Sequence, residues 1–158
     1  MDPTPPSQAE QARSLVESTR AGTLSTLARE PAGHPYGSLV SFALHGARAV
    51  LLLSELAEHT KNLHGDPRAS LLVAEPSAEQ PLARGRVTLL GTCQVLSPSE
   101  REHAERAYFA RFPDAAAFAG LGDFRFWALE VSSARFIAGF ARMSWISAAE
   151  WAGACAQH

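Results

Sequence analysis

The chain is predicted to be mainly β, an antiparallel β-barrel with flanking helices. Short β-rich runs separated by Pro, Gly and His follow one another after Gly22. Helical segments do not alternate with these runs in the βαβ order that builds a parallel sheet. The 158 residues, 46% of them hydrophobic, are enough for one sizeable core. We therefore expect about seven strands and three helices.

The chain begins with a predicted arm and a predicted helix. Residues 1–8 are expected to be a disordered N-terminal arm, because this region is polar and rich in proline. Residues 9–158 are then expected to form a single domain. Apolar residues recur at helical spacing over 9–19, and Gly22 follows closely enough to end a helix there.

The first half of the barrel is predicted from three β-rich runs, over 23–27, 38–44 and 49–53. Two prolines and two glycines lie in 30–37, as expected for a connection between antiparallel strands. A helix is predicted over 55–63, with Ser54 as its N-terminal cap.

The second half is predicted to contain strands over 69–74 and 86–96, with Gly91 marking a bulge or a close backbone approach. Ser97, Pro98 and Glu100 have the pattern of a helix start, and Pro113 ends that helix near residue 112. Two more strands are predicted over 124–131 and 134–139.

Composition and charge exclude several classes of function. The 14 Lys and Arg against 16 Asp and Glu leave a net charge of −2 and form no basic tract, so nucleic acid is not an expected partner. No apolar run reaches the roughly 18 residues that cross a membrane, and a cytoplasmic protein is expected. The two cysteines form no metal-binding pattern, and no metal site is predicted.

The densest polar cluster follows a buried-looking strand and opens the predicted helix over 55–63. It contains Ser54, His59, Thr60 and Lys61. Backbone amides at a helix start, a hydroxyl and a nearby cation together suit a phosphate. The competing interpretation is a capped surface helix whose charges are only solvated.

Further candidate groups lie in the second half of the chain. Arg84 and Arg86 flank Gly85 at the start of a strand, where a guanidinium is able to bind phosphate or a ring edge. The aromatic residues from Phe124 onward are expected to fill the core or an interface. Phe126 and Trp127 should point to opposite faces of one strand.

The order of these segments resembles the pyridoxamine 5'-phosphate oxidase-like, FMN-binding split-barrel family, and most closely its HugZ/HutZ-type haem-utilisation branch. The segments that carry the likeness lie within 10–148 and are 22–27, 34–40, 53–63, 66–72, 86–91, 122–124 and 139–145.

This resemblance implies a Greek-key-like split barrel and a homodimer that holds FMN between its subunits. A flavin-dependent oxidoreductase is the function it implies, with the redox chemistry supplied by FMN and no catalytic side chain assigned. The implied cofactor-binding residues are Ser38, Val40, Ser54, His59, Thr60, Lys61 and Arg86. A small-molecule substrate is implied as well.

Departures from the family pattern keep other functions open. The basic strand of the vitamin B6 oxidases is replaced here by 38–43, which carries no cation. Haem-degrading members usually carry an additional C-terminal domain or a ligating His in a C-terminal extension, and His158 is the candidate haem ligand here. The alternatives are therefore a haem-binding or haem-degrading protein of the HugZ type, or a flavin or haem carrier without turnover.

Overall fold

The β-strands form one antiparallel sheet that curls into a half-barrel. The structure is a computed structural model that describes residues 4–77 and 79–157. Its strands are β1 (Ala21–Leu27), β2 (Pro35–Ser41), β3 (Ala43–His45), β4 (Arg48–Ser54), β5 (Arg68–Ala74), β6 (Arg86–Val95), β7 (Phe124–Ile137) and β8 (Met143–Ser147). Their order is β2-β1-β5-β6-β7-β4-β3, with β8 paired to β7. The predicted fold class is confirmed.

Five α-helices flank this sheet in the described part of the chain. They are α1 (Gln8–Ser18), α2 (Glu58–Gly65), α3 (Pro98–Arg111), α4 (Ala116–Ala119) and α5 (Ala148–Ala156). Short 3-10 turns occur at Pro81–Ala83 and Pro113–Ala115. None of the helices in the described residues is long and apolar enough to span a membrane.

Two hydrophobic clusters hold these elements together. The larger one fills the half-barrel and extends under α1 and α5, where Trp151 is fully buried and its indole N–H donates to the Ala47 carbonyl at 2.8 Å. The smaller one lies under α3, where Tyr108 packs edge to face on Phe126. Phe126 and Trp127 belong to different clusters, as strand alternation predicts.

The bulge predicted at Gly91 is present and explains an error in strand assignment. The β6–β7 register shifts between Leu90 and Gly91, and a Cβ on Gly91 would meet the Glu130 carbonyl oxygen, so only glycine fits. Ser132 is the extra residue of β7, and its hydroxyl donates to the Leu90 carbonyl at 3.0 Å. The two strands predicted over 124–131 and 134–139 are therefore one continuous strand.

Other boundaries also differ from the predictions. The run over 38–44 is split by Phe42 into β2 and β3. Helix α2 begins at Glu58, and its N-terminal cap is Ala57, so the prediction of Ser54 as the cap was wrong. Strand β8 and helix α5 were not predicted, although Ser147 and Glu150 form a capping box at the start of α5.

At the N-terminus, Ser7 caps α1 through a capping box with Glu10, and Gln8 is already helical. Ser7 and Gln8 thus belong to the first helix rather than to an arm. The single-domain organisation of 9–158 stays a prediction. His158, the candidate haem ligand, lies outside the described residues. Both cysteines are buried free thiols.

Candidate functional site

One cleft brings together several of the predicted cofactor residues. We call it the His59 cleft; its volume is about 260 Å³. The residues that line it are Leu39, Val40, Ser41, Leu52, Leu53, Ser54, Ala57, His59, Tyr108 and Phe124. The end of β2, the end of β4 and the start of α2 meet here, so residues distant in sequence share a wall.

His59 is held in this cleft by β2. Its Nδ1 lies 2.9 Å from the Ser38 hydroxyl, and that hydroxyl points at the Leu24 carbonyl, 3.5 Å away. If Ser38 donates to Leu24, it accepts from Nδ1–H, which favours the tautomer with a lone pair on Nε2. Burial lowers the pKa of His59, so the imidazole is neutral at pH 7. A neutral imidazole is the form that binds metals.

Ser54 is held in the cleft by two hydrogen bonds of its hydroxyl. Its hydroxyl donates to an oxygen of Asp123 at 2.8 Å and accepts from the amide of Leu56 at 3.1 Å. These bonds shape the turn between β4 and α2. Ser54 therefore orients the turn that presents His59, while Val40 contributes a buried apolar wall.

Thr60 and Lys61 do not line the cleft. Thr60 is fully buried, and its hydroxyl oxygen has no hydrogen-bond partner among the described residues. Lys61 is exposed and pairs with Glu58 at 3.0 Å. Consecutive helical residues point in different directions, which is why this cluster is spread over three surfaces.

Arg86 does not line the His59 cleft. It belongs to β6, which is separated from β2 by β1 and β5. Its guanidinium donates to the carbonyls of Leu82 and Arg84 at 3.1 and 3.4 Å. The structure thus brings Ser38, Val40, Ser54 and His59 together and leaves Arg86 at another part of the sheet.

A larger pocket adjoins the His59 cleft and was missed by sequence reasoning. We call it the aromatic pocket; its volume is about 490 Å³. It shares four lining residues with the cleft, namely Ser41, Leu52, Tyr108 and Phe124. The remainder of its lining is Arg20, Arg111, Phe112, Pro113, Asp114, Ala115 and Phe118. The two spaces adjoin at these shared residues, and we call them together the groove.

Aromatic rings build the walls of this pocket. The rings of Tyr108 and Phe112 lie 5.0 Å apart between centroids, and those of Phe118 and Phe124 lie 6.3 Å apart. Tyr108 and Arg111 lie three residues apart on α3 and Phe112 caps its end, a sequence signal for a shared face. That signal does not reveal which strand the face meets, so it does not identify a pocket.

Comparisons with known proteins agree with this fold. The family model described as "CREG, beta-barrel" matches residues 3–153. The chloroplastic heme oxygenase HOZ of Arabidopsis thaliana is 34% identical over 137 residues, which are 85% of this chain and 41% of that protein. The chain thus spans less than half of this curated relative.

Solved structures give the same result. A heme binding protein from Mycobacterium smegmatis superposes with a TM-score of 0.89 at 38% identity, covering 96% of this chain and 62% of that one. HutZ from Vibrio cholerae, described as a heme storage protein, matches at a TM-score of 0.65 over 87% of this chain and 92% of its own. At 20% identity, this match is evidence of a shared fold only.

The resemblance to the FMN-binding split barrels and their haem-utilisation branch is therefore confirmed. The chain belongs to the CREG beta-barrel family.

Proposed function

We propose that this protein binds haem in the groove formed by the His59 cleft and the aromatic pocket. The observation that carries the proposal is the continuity of an aromatic groove with a cleft that holds a neutral imidazole. Ligand pockets are typically apolar with a few oriented polar groups, and haem iron is commonly held by histidine. The names of the Mycobacterium smegmatis and Arabidopsis relatives support the same ligand class.

The groove residues fit a porphyrin. Leu52, Phe118 and Phe124 offer apolar surface for a flat ring. Among the histidines in the described part of the chain, His59 is the one that lines the groove. It is therefore the candidate iron ligand. Bound haem would supply an iron centre and an intense absorption band. His158 remains the competing candidate ligand.

The test is a titration of the purified protein with haemin, followed by absorption. We expect a saturable, shifted Soret band with one haem per chain. Absence of a saturable band would overturn the proposal. The haem oxygenase relative suggests degradation as a further possibility, so the complex should then be kept in air with ascorbate. Loss of the Soret band over time, prevented by removing oxygen, would support haem degradation.

FMN is the second candidate ligand, as part of a flavin-dependent oxidoreductase. The observation that favours it is the start of α2 beside Ser54 and His59, a helix start with polar side chains that suits a phosphate. Glu58 in the first turn opposes an anion there. Quenching of FMN fluorescence that is lost in the His59→Ala variant and kept in Lys61→Ala, which changes a residue outside the cleft, would support this function. Unchanged FMN fluorescence would overturn it.

We also propose that the protein is a homodimer joined through the outer face of the sheet. A row of paired residues crosses six strands on this face: Leu39, Thr23, Leu72, Thr88, Arg135 and Trp145. Leu39 is 81% exposed and Trp145 is 63% exposed. Large apolar side chains grouped on a surface are typical of an interface with another protein. Leu39 also lines the His59 cleft, so a partner on this face would adjoin the site.

Light scattering tests the dimer. We expect twice the chain mass for the unchanged protein and a shift to monomer for Leu39→Glu. Leu121→Glu is the matched control, because Leu121 is an exposed leucine outside this row. A monomer at micromolar concentration for the unchanged protein would contradict the proposal.

A further inference from the structure

Two arginines from distant parts of the chain lie side by side at one end of the aromatic pocket. Arg111 is the last residue of α3, and Arg20 precedes β1. Arg111 Nη2 donates to the Thr19 carbonyl at 2.7 Å, and Arg20 Nη1 points at the Arg111 carbonyl, 3.4 Å away. The Arg111 guanidinium is therefore held by the carbonyl of the residue before Arg20, and the Arg20 guanidinium is held by the carbonyl of Arg111.

This pairing leaves most of the donors of both side chains uncommitted. A guanidinium carries five N–H donors, and each of these two spends one on a carbonyl. Arg111 Nε is buried and has no partner among the described residues. Arg20 lies over the Phe112 ring, 5.6 Å from its centroid, which holds the charge against the pocket wall.

No carboxylate neutralises the pair within the described residues. Neither arginine takes part in an ion pair there. Glu17 is near Arg111, but its carboxylate is bound by Arg13 at 2.7 and 3.0 Å. Asp114 lines the same pocket without forming an ion pair with either arginine. Burial and the nearby Arg20 charge lower the pKa of Arg111, and the Glu17 carboxylate offsets only part of this effect.

We propose that Arg20 and Arg111 form a carboxylate-binding site and anchor the propionate groups of a porphyrin in the aromatic pocket. The inference rests on the proposed haem function and adds the orientation of the ligand. Carboxylates are the natural partners of paired guanidinium groups, because they accept parallel charge-assisted hydrogen bonds. The aromatic walls beside the pair suit the ring that carries these carboxylates.

The test compares protoporphyrin IX with its dimethyl ester, which lacks the two carboxylates. Both are free of iron, so histidine ligation does not contribute. Fluorescence titration in one detergent-containing buffer gives both affinities. We expect the free acid to bind about tenfold more tightly or better, the size of a charge-assisted hydrogen bond. A free carboxylate such as propionate should compete with the acid and not with the ester.

Variants connect this preference to the two arginines. Arg20→Gln, Arg111→Gln and the double variant should lose the preference for the acid and keep the affinity for the ester. If Arg111→Gln does not fold, Arg111→Lys takes its place, because it retains the charge and removes the planar guanidinium. Arg106→Gln is the matched control, because Arg106 is exposed on α3 and pairs with Glu102. The control should behave as the unchanged protein does.

The outcomes separate the two proposals. Equal affinity for acid and ester in the unchanged protein, with haemin still bound, would overturn the carboxylate site and leave haem binding intact. A preference for the acid that survives the double variant would overturn the assignment to these arginines. Failure to bind haemin, acid and ester alike would overturn both proposals.

Discussion

The two ends of the groove differ in charge and in how their side chains are held. At the His59 end, a neutral imidazole is oriented by one hydroxyl, and the turn beside it is set by Ser54. At the other end, backbone carbonyls hold the guanidinium groups of Arg20 and Arg111 near each other. These two residues are 91 positions apart in the sequence. One end suits a metal, and the other suits an anion.

This difference gives the groove a direction. A symmetric apolar slot would accept a flat ring in several orientations. Under the two proposals, with His59 as a metal ligand at one end and the arginine pair as a carboxylate site at the other, haem would have an orientation that satisfies both.

The largest effect is expected where the two spaces join. Ser41 is exposed and lines both the His59 cleft and the aromatic pocket. Ser41→Trp should fill the junction and weaken haemin and protoporphyrin IX alike, by about a hundredfold, or ~2.8 kcal/mol. Absorption and fluorescence titrations measure this loss, and light scattering checks the mass of the variant.

The control for this change is Ser99→Trp, which adds the same ring to an exposed position in the first turn of α3. It should bind both porphyrins as the unchanged protein does. Full affinity in Ser41→Trp would mean that the ligand does not occupy the groove.

A smaller and more selective effect is expected at His59. His59→Ala should lower haemin affinity by at least roughly tenfold, since removing a metal ligand costs no less than removing a group that supports one, and it should leave iron-free protoporphyrin IX nearly unaffected. Electron paramagnetic resonance should report a changed iron coordination. His158→Ala is the comparison, and a coordination change in that variant alone would assign the ligand to His158 instead.

Ser38 should matter less than the imidazole it orients. Ser38→Ala removes the hydroxyl that lies 2.9 Å from His59 Nδ1, so the ring loses its fixed tautomer and orientation. We expect haemin affinity to fall by about tenfold, the lower part of the range for groups that support a metal ligand. Ser38→Thr retains the hydroxyl and should restore much of the affinity. Equal losses in Ala and Thr variants would contradict the orienting role.

The smallest effect is expected at Asp114. Its carboxylate lines the aromatic pocket near the arginine pair and opposes a bound carboxylate. Asp114→Asn should tighten binding of protoporphyrin IX by about threefold, or ~0.6 kcal/mol, the usual size of an exposed charge interaction. The dimethyl ester should show no gain. A gain of equal size for the ester would mean that the change acts on the pocket shape and not through charge.

Part of the site was visible in the sequence. The polar residues between Ser54 and Lys61, which follow a β-rich run, indicated a polar site at a helix start. Ser54 and His59 do line a cleft there. Thr60 and Lys61 were predicted with them because they are neighbours in sequence. The helix turns these two side chains away, toward the interior and toward solvent. A local cluster thus overstates how many of its members share a site.

The bulge at Gly91 and the helix start at Ser97 are properties that the sequence indicated by itself. The helix start depends on a capping pattern that acts over a few residues. The bulge was indicated by the glycine alone, although the backbone that crowds Gly91 belongs to Glu130 on the neighbouring strand. The cationic end of the groove depended on the tertiary structure alone. Arg20 and Arg111 carry no local pattern, and only the tertiary contact between the end of α3 and residues 19 and 20 brings like charges together beside aromatic rings.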